Sequence, residues 1–107
     1  EFTNSVTRII LAHMDDESLT IQRVAKEMAV SVRTLQKRLE GEGVVFSDLL
    51  TDIRQRLARQ YLHEDYTVEQ IAYLLGFSEP SSFRKAFKKW LGVTPREFRE
   101  GTYSVAN

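Results

Sequence analysis

The strongest constraint on this chain is that its second half repeats its first. Sliding the sequence by 47 residues sets Val24 and Ala25 on Ile71 and Ala72, Val30 on Phe77, and Ser31 on Ser78. One extra residue then brings Leu35 onto Phe83 and Leu39 onto Phe87, and one more puts Gly43 and Val44 on Gly92 and Val93, and Leu49 on Phe98. The shift grows from 47 to 49 only in turns and at helix ends, where insertions are tolerated. Matching apolar positions in two segments mean two copies of one supersecondary unit. At 107 residues, the chain has room for little else.

Each copy reads as two short helices around a tight turn. In the second copy, Thr67 with Gln70 three residues on has the form of a capping box, so a helix starts at Val68 and buries Ile71, Ala72 and Leu75 before Gly76 ends it. A helix over 80–91 then puts Phe83, Phe87, Trp90 and Leu91 on a buried stripe and Ser81, Arg84, Lys85 and Lys88 on the opposite one. In the first copy, a helix from Thr20 turns Ile21, Val24, Ala25 and Met28 inward and closes near Ala29 and Val30. Ser31 is a good N-cap for a helix to about Glu42 that buries Leu35 and Leu39 and exposes Arg33, Gln36, Lys37 and Glu40. Two short helices, the second with an apolar back and a polar front, satisfy what a helix-turn-helix requires.

The remaining segments frame these copies. Residues 46–64 carry the longest helical pattern, with Leu49, Leu50, Ile53, Leu57, Tyr61 and Leu62 at spacings of three and four. With Ser47 as its cap and His63 as its end, it would span about 25 Å. Its cations Arg54, Arg56 and Arg59 either touch DNA backbone or simply face solvent. Val6, Ile9, Ile10 and His13 or Met14 outline a first helix ending near His13, the acidic 15–18 make a link, and 1–5 have little pattern, Glu-Phe fitting a cloning remnant. At the other end, Thr94, Pro95 and Glu97 announce a last short helix pinned by Phe98, followed by a tail over 101–107. No period-two pattern survives. The fold class is therefore all-α, about seven helices, with helix-turn-helix lobes over 6–45 and 66–100 joined by a linker helix over 46–64. Such a linker could set two reading helices near the roughly 34 Å between successive major grooves.

Net charge is zero, from 15 cations and 15 acids, but the distribution is uneven. Between Ser81 and Arg99, six cations (Arg84, Lys85, Lys88, Lys89, Arg96, Arg99) face one acid, Glu97, an excess of +5. That fits one face turned to phosphates, with a solvated charged face as the plainer alternative. The absence of cysteine excludes disulfides and thiolate zinc sites, and no metal or cofactor is expected. No apolar run reaches membrane-span length and the N-terminus lacks signal-peptide build, which makes the cytoplasm the expected location. Catalysis is disfavoured, since His13 and His63 lie far apart and no Ser or Lys has a recognisable activating partner. A helical protein-interaction module is the stronger rival; salt-independent binding to duplex DNA would favour it.

The run GFSEPSSFRKAFKKWLGVTPREFR resembles the signature of the AraC/XylS family of bacterial transcription regulators, and residues 6–99 resemble that family's DNA-binding domain. Gly-Phe, Ser-x-Phe, Phe-Lys, Gly-x-Thr-Pro and the closing aromatic-Arg all fall at the family's spacing. Lys85 stands where many members have Arg, and Phe98 where Tyr is commoner, so Lys85 would act as a point charge rather than a bidentate fork. The resemblance implies that the second helix of each copy enters a major groove of promoter DNA. It would assign base reading to Arg33, Gln36 and Lys37 and to Pro80, Ser81, Arg84 and Lys85, with Ser31, Thr34, Ser78, Ser82 and Lys88 on the backbone. It also implies a C-terminal fragment of a longer effector-responsive or dimeric regulator, with RNA polymerase as a further partner.

Overall fold

The computed structural model describes residues 1–17 and 19–101, and among them there are seven helices and no strand. In chain order these are α1 (Phe2–Ala12), α2 (Ile21–Glu27), α3 (Val32–Gly41), α4 (Phe46–Leu62), α5 (Val68–Leu74), α6 (Pro80–Leu91) and α7 (Pro95–Glu100). The chain divides into two compact units, Glu1–Ile53 and Arg54–Asn107. The division falls inside α4, the helix expected as the linker. Ser18 and the tail residues 102–107 lie outside the described residues.

In the first unit, α1, α2 and α3 pack on one another. Val6, Ile10, Val24, Leu35 and Leu39 are fully buried there, flanked by Met14, Leu19, Ala25 and Ile53. Thr20 and Ser31 cap α2 and α3, each accepting from the backbone N–H three residues on. The sequence pattern started α1 near Val6, whereas the helix begins at Phe2. The missing signal is non-local. Glu42, past the end of α3, accepts hydrogen bonds from Phe2 N (3.3 Å), Thr3 N (2.9 Å) and the Thr3 hydroxyl. A carboxylate some 40 residues away thus satisfies amides that a helix start leaves orphaned. Those bonds, led by the Thr3 hydroxyl's, hold the Glu42 carboxyl below its usual range. Arg38 adds a cation–π contact, 5.2 Å from the centre of the Phe2 ring.

In the second unit, α6 packs on α5 and α7. Ile71, Ala72, Leu75, Phe83 and Phe87 are fully buried, with Ala58, Leu62 and Pro95 beside them. Edge and tilted ring contacts run from Phe77 to Phe83 (5.6 Å), Phe83 to Phe87 (5.8 Å), Phe87 to Phe98 (5.6 Å) and Phe98 to His63 (5.6 Å). Both expected capping boxes form, Thr67 with Gln70 and Thr94 with Glu97. Three expectations need correction. Trp90, taken as core, is only half-buried, 6.4 Å from Phe77. Ser47 does not cap α4, which already begins at Phe46, with Leu49 N bonded to Val45 O at 3.0 Å. Arg99, counted with the outward cations, donates to the carbonyls of Leu62 (2.9 Å), Tyr61 (3.4 Å), Glu64 (3.3 Å) and Tyr66, at the C-terminal end of α4 and in the turn that follows it.

These placements set a ranking. Phe87→Ala should cost about 3–5 kcal/mol and Trp90→Ala distinctly less, read from urea unfolding of each variant. Glu97 yields a pH signature, because the Thr94 amide and hydroxyl hold its carboxyl below the ordinary 4.5. A lowered folded pKa gives stability that is complete above the unfolded value and lost as pH falls through the folded one. Glu97→Gln keeps a residue able to close the box without titrating. Thermal melts should therefore show the wild type losing ground to the variant as pH drops below about 4.5.

Candidate nucleic-acid interface

The helices α3 and α6 match in sequence register. A shift of 48 residues carries the buried pair Leu35 and Leu39 onto Phe83 and Phe87, and the polar stripe Arg33, Gln36, Lys37, Glu40 onto Ser81, Arg84, Lys85, Lys88. All eight stripe residues are exposed. Spacing of three and four residues keeps each stripe on one helical face, opposite the buried pair. The stripes differ in charge, +1 on α3 against +3 on α6, because Glu40 occupies the position that Lys88 holds in the second unit.

The turns before these helices share a hydrogen-bond pattern. Val30 N bonds to Ala25 O at 3.0 Å and Ala29 N to Lys26 O at 3.0 Å; Phe77 N bonds to Ala72 O at 3.0 Å and Gly76 N to Tyr73 O at 3.1 Å. These Schellman-type closures place Ala29 at φ +59° and Gly76 at φ +84°. A left-handed backbone costs an L-residue about 1–2 kcal/mol and glycine little. The first unit carries this strain at Ala29. Beyond the turns, the extra residue of the second copy falls just before α6. Ser78 matches Ser31 in sequence, yet the N-cap of α6 is Glu79, which makes no side-chain cap bond, and Pro80 opens the helix.

The remaining candidates divide by what already holds them. The Ser31 hydroxyl accepts from Thr34 N (3.0 Å) and donates to Thr34 Oγ1 (2.9 Å), so these two expected backbone contacts are bonded to each other, with Thr34 half-buried. Ser78 and Ser82 are exposed ahead of and within the first turn of α6, and Pro80 is half-buried. Among the described residues, Arg33, Lys37 and Lys85 enter no ion pair, whereas Arg84 Nη2 lies 2.6 Å from Glu69 Oε2. Arg54, weighed as a backbone contact, donates to Leu75 O at 3.2 Å and stacks 5.3 Å from the centre of Phe77; burial lowers its pKa. Sequence spacing carried no sign of the Arg54, Arg99 or Glu69 partners, which are all brought in from other helices or turns. Among the described residues no group of three or more potential ligands could hold a metal, and no helix is long and apolar enough to cross a membrane.

Comparison with known proteins gives this geometry its relatives. A family model described as a helix-turn-helix domain matches residues 24–101. The ornithine utilization regulator of Pseudomonas aeruginosa is 40% identical over 96 residues, which is 89% of this chain and 28% of that protein. The transcriptional activator FapR of Escherichia coli is 38% identical over 79 residues, 73% of this chain and 30% of its own. The chain thus spans under a third of the length of these relatives. Among solved structures, a DNA-binding transcriptional dual regulator from Escherichia coli K-12 aligns with a TM-score of 0.84 at 27% identity, covering 95% of this chain and 92% of that one. The DNA-binding domain of AdpA, solved in complex with a target DNA, aligns at 0.76 with 26% identity, covering 92% and 90%.

The turn geometry makes a paired prediction. Ala29→Gly should stabilise the first unit by about 0.5–1 kcal/mol, and Gly76→Ala should destabilise the second by about 1 kcal/mol or more. Chemical denaturation of the two variants against the parent checks both signs.

Proposed function

The chain belongs to the AraC/XylS family of transcription regulators as its DNA-binding domain, and on that premise we propose that it reads double-stranded promoter DNA through α3 and α6, each inserted in a major groove. The observation that carries this reading is the register match of the two exposed polar stripes, which gives both units the same reading face. On α3, Arg33, Gln36 and Lys37 supply the donors that guanine O6/N7 accepts and the amide that pairs with adenine; on α6, Arg84 and Lys85 do so beside Ser81 and Pro80. Ser31, Thr34, Ser78, Ser82 and Lys88 position the domain on phosphates. The AdpA domain, crystallised with a target DNA, supports this assignment by its likeness over most of the chain.

The same premise extends to the whole protein. The domain works as part of a longer, effector-responsive or dimeric regulator, contacts RNA polymerase when it activates, performs no catalysis, and acts in the bacterial cytoplasm. The length of the curated relatives supports the larger architecture.

Selection of bound duplexes from a randomised library is the direct test. Two preferred motifs about 10 base pairs apart are expected, one for each reading helix. Affinity for the selected duplex should fall steeply with salt; binding indifferent to salt would reject phosphate neutralisation and favour a protein-interaction module. Arg33→Ala and Arg84→Ala should each cost about 1–3 kcal/mol at particular base pairs, whereas uniform weakening on every sequence would reassign them to phosphates.

A further inference from the structure

Arg84 does not hang free. Its Nη2 donates to Glu69 Oε2 at 2.6 Å, with the two side chains 47% and 58% exposed. An ion pair this open contributes little to stability, so its consequence lies in what it does to the guanidinium. Glu69 is itself held. It sits in the first turn of α5, beside the Thr67–Gln70 capping box, and hydrogen bonds from its own backbone amide first and Arg84 second keep its carboxyl below the usual range. Among the described residues, the Arg84 guanidinium makes no other hydrogen bond. The first unit has no such pair: its residues at the matching positions are Gln22 and Gln36, and Arg33 and Lys37 enter no ion pair among the described residues.

Guanidinium geometry makes a single contact informative. Nη2 carries two protons, one parallel to the Nε–H and one parallel to an Nη1–H. Whichever proton Glu69 takes, the other still forms a parallel donor pair with its neighbour. That pair is what guanine O6 and N7 accept in the major groove. A phosphate approaching the same cation carries a full negative charge and is repelled by Glu69 more strongly than the partial charges of a neutral base edge.

Resting on the proposal that α6 reads DNA, we infer that Glu69 is a specificity-determining positioning residue of the second reader: it holds one edge of Arg84 so that the other meets a guanine, and its charge opposes capture of Arg84 by phosphate. Fixing a long side chain in advance removes an ordering cost that binding would otherwise carry. The inference concerns discrimination, not fold.

The experiment uses the duplex selected by the wild-type chain, its single base-pair variants and a random-sequence duplex, with wild type, Glu69→Gln, Arg84→Ala and the double variant. Arg84→Ala identifies the base pair that Arg84 reads. At that pair Glu69→Gln should lower the preference for guanine by about two- to tenfold, the scale of ordering one such side chain. Preferences elsewhere should hold, affinity for the random duplex should rise, thermal stability should be unchanged, and the double variant should discriminate no worse than Arg84→Ala. If Arg84→Ala abolishes the preference and Glu69→Gln leaves it intact, the inference falls while the reading of α6 stands. Equal weakening on all duplexes with a lowered melting temperature also overturns it, by making Glu69 structural. If Arg84→Ala changes no preference, the base-reading role of Arg84 fails and takes the inference with it.

Discussion

Two fully buried side chains, four residues apart, decide what the second helix of each copy shows to solvent. Leu35 and Leu39 anchor α3, and Phe83 and Phe87 anchor α6. Burying such a pair contributes on the order of 3–6 kcal/mol in apolar transfer, far more than any exposed polar contact nearby, so the rotation of the helix about its axis follows the anchors. Once that rotation is set, helical geometry places Arg33, Gln36 and Lys37, or Ser81, Arg84 and Lys85, on the opposite face without further instruction. The second unit uses larger anchors and surrounds them with a train of aromatic contacts, whereas the first relies on aliphatic packing.

The turns are the second shared constraint, and the two copies meet it unequally. Both need a left-handed residue followed by an amide that reaches back five positions. Gly76 adopts that backbone freely, while at Ala29 the closing bonds of the turn accompany it. The same comparison explains why the extra residue of the second copy is harmless. It lengthens the segment between Gly76 and Pro80, outside both helices, and leaves the anchor spacing on α6 intact.

Charge is organised by tertiary contacts rather than by composition. Of the six cations between Ser81 and Arg99, Arg84 pairs with Glu69, Arg96 with Glu100 at 3.1 Å, and Arg99 donates to main-chain carbonyls. Lys85, Lys88 and Lys89 enter no ion pair among the described residues. An excess of +5 therefore overstates the charge freely offered outward, because Glu69 and Glu100 pair with Arg84 and Arg96 and carbonyls occupy Arg99.

Much of this was legible in the chain itself. The repeat, the all-helical class, the caps at Ser31, Thr67 and Thr94, the bounds of α6 and the anchor pairs all follow from local rules, since caps and helical faces depend on residues within a few positions of one another. What tertiary structure alone decided is every feature whose partners lie far apart in sequence. Glu42 extends α1 back to Phe2, Arg99 donates to carbonyls at the end of α4, Arg54 turns to Leu75 and Phe77, Trp90 stays half-buried, and Glu69 takes Arg84. Long, charged side chains reach several ångströms in many directions, and no periodicity in sequence records which carboxylate or carbonyl the fold brings within their reach.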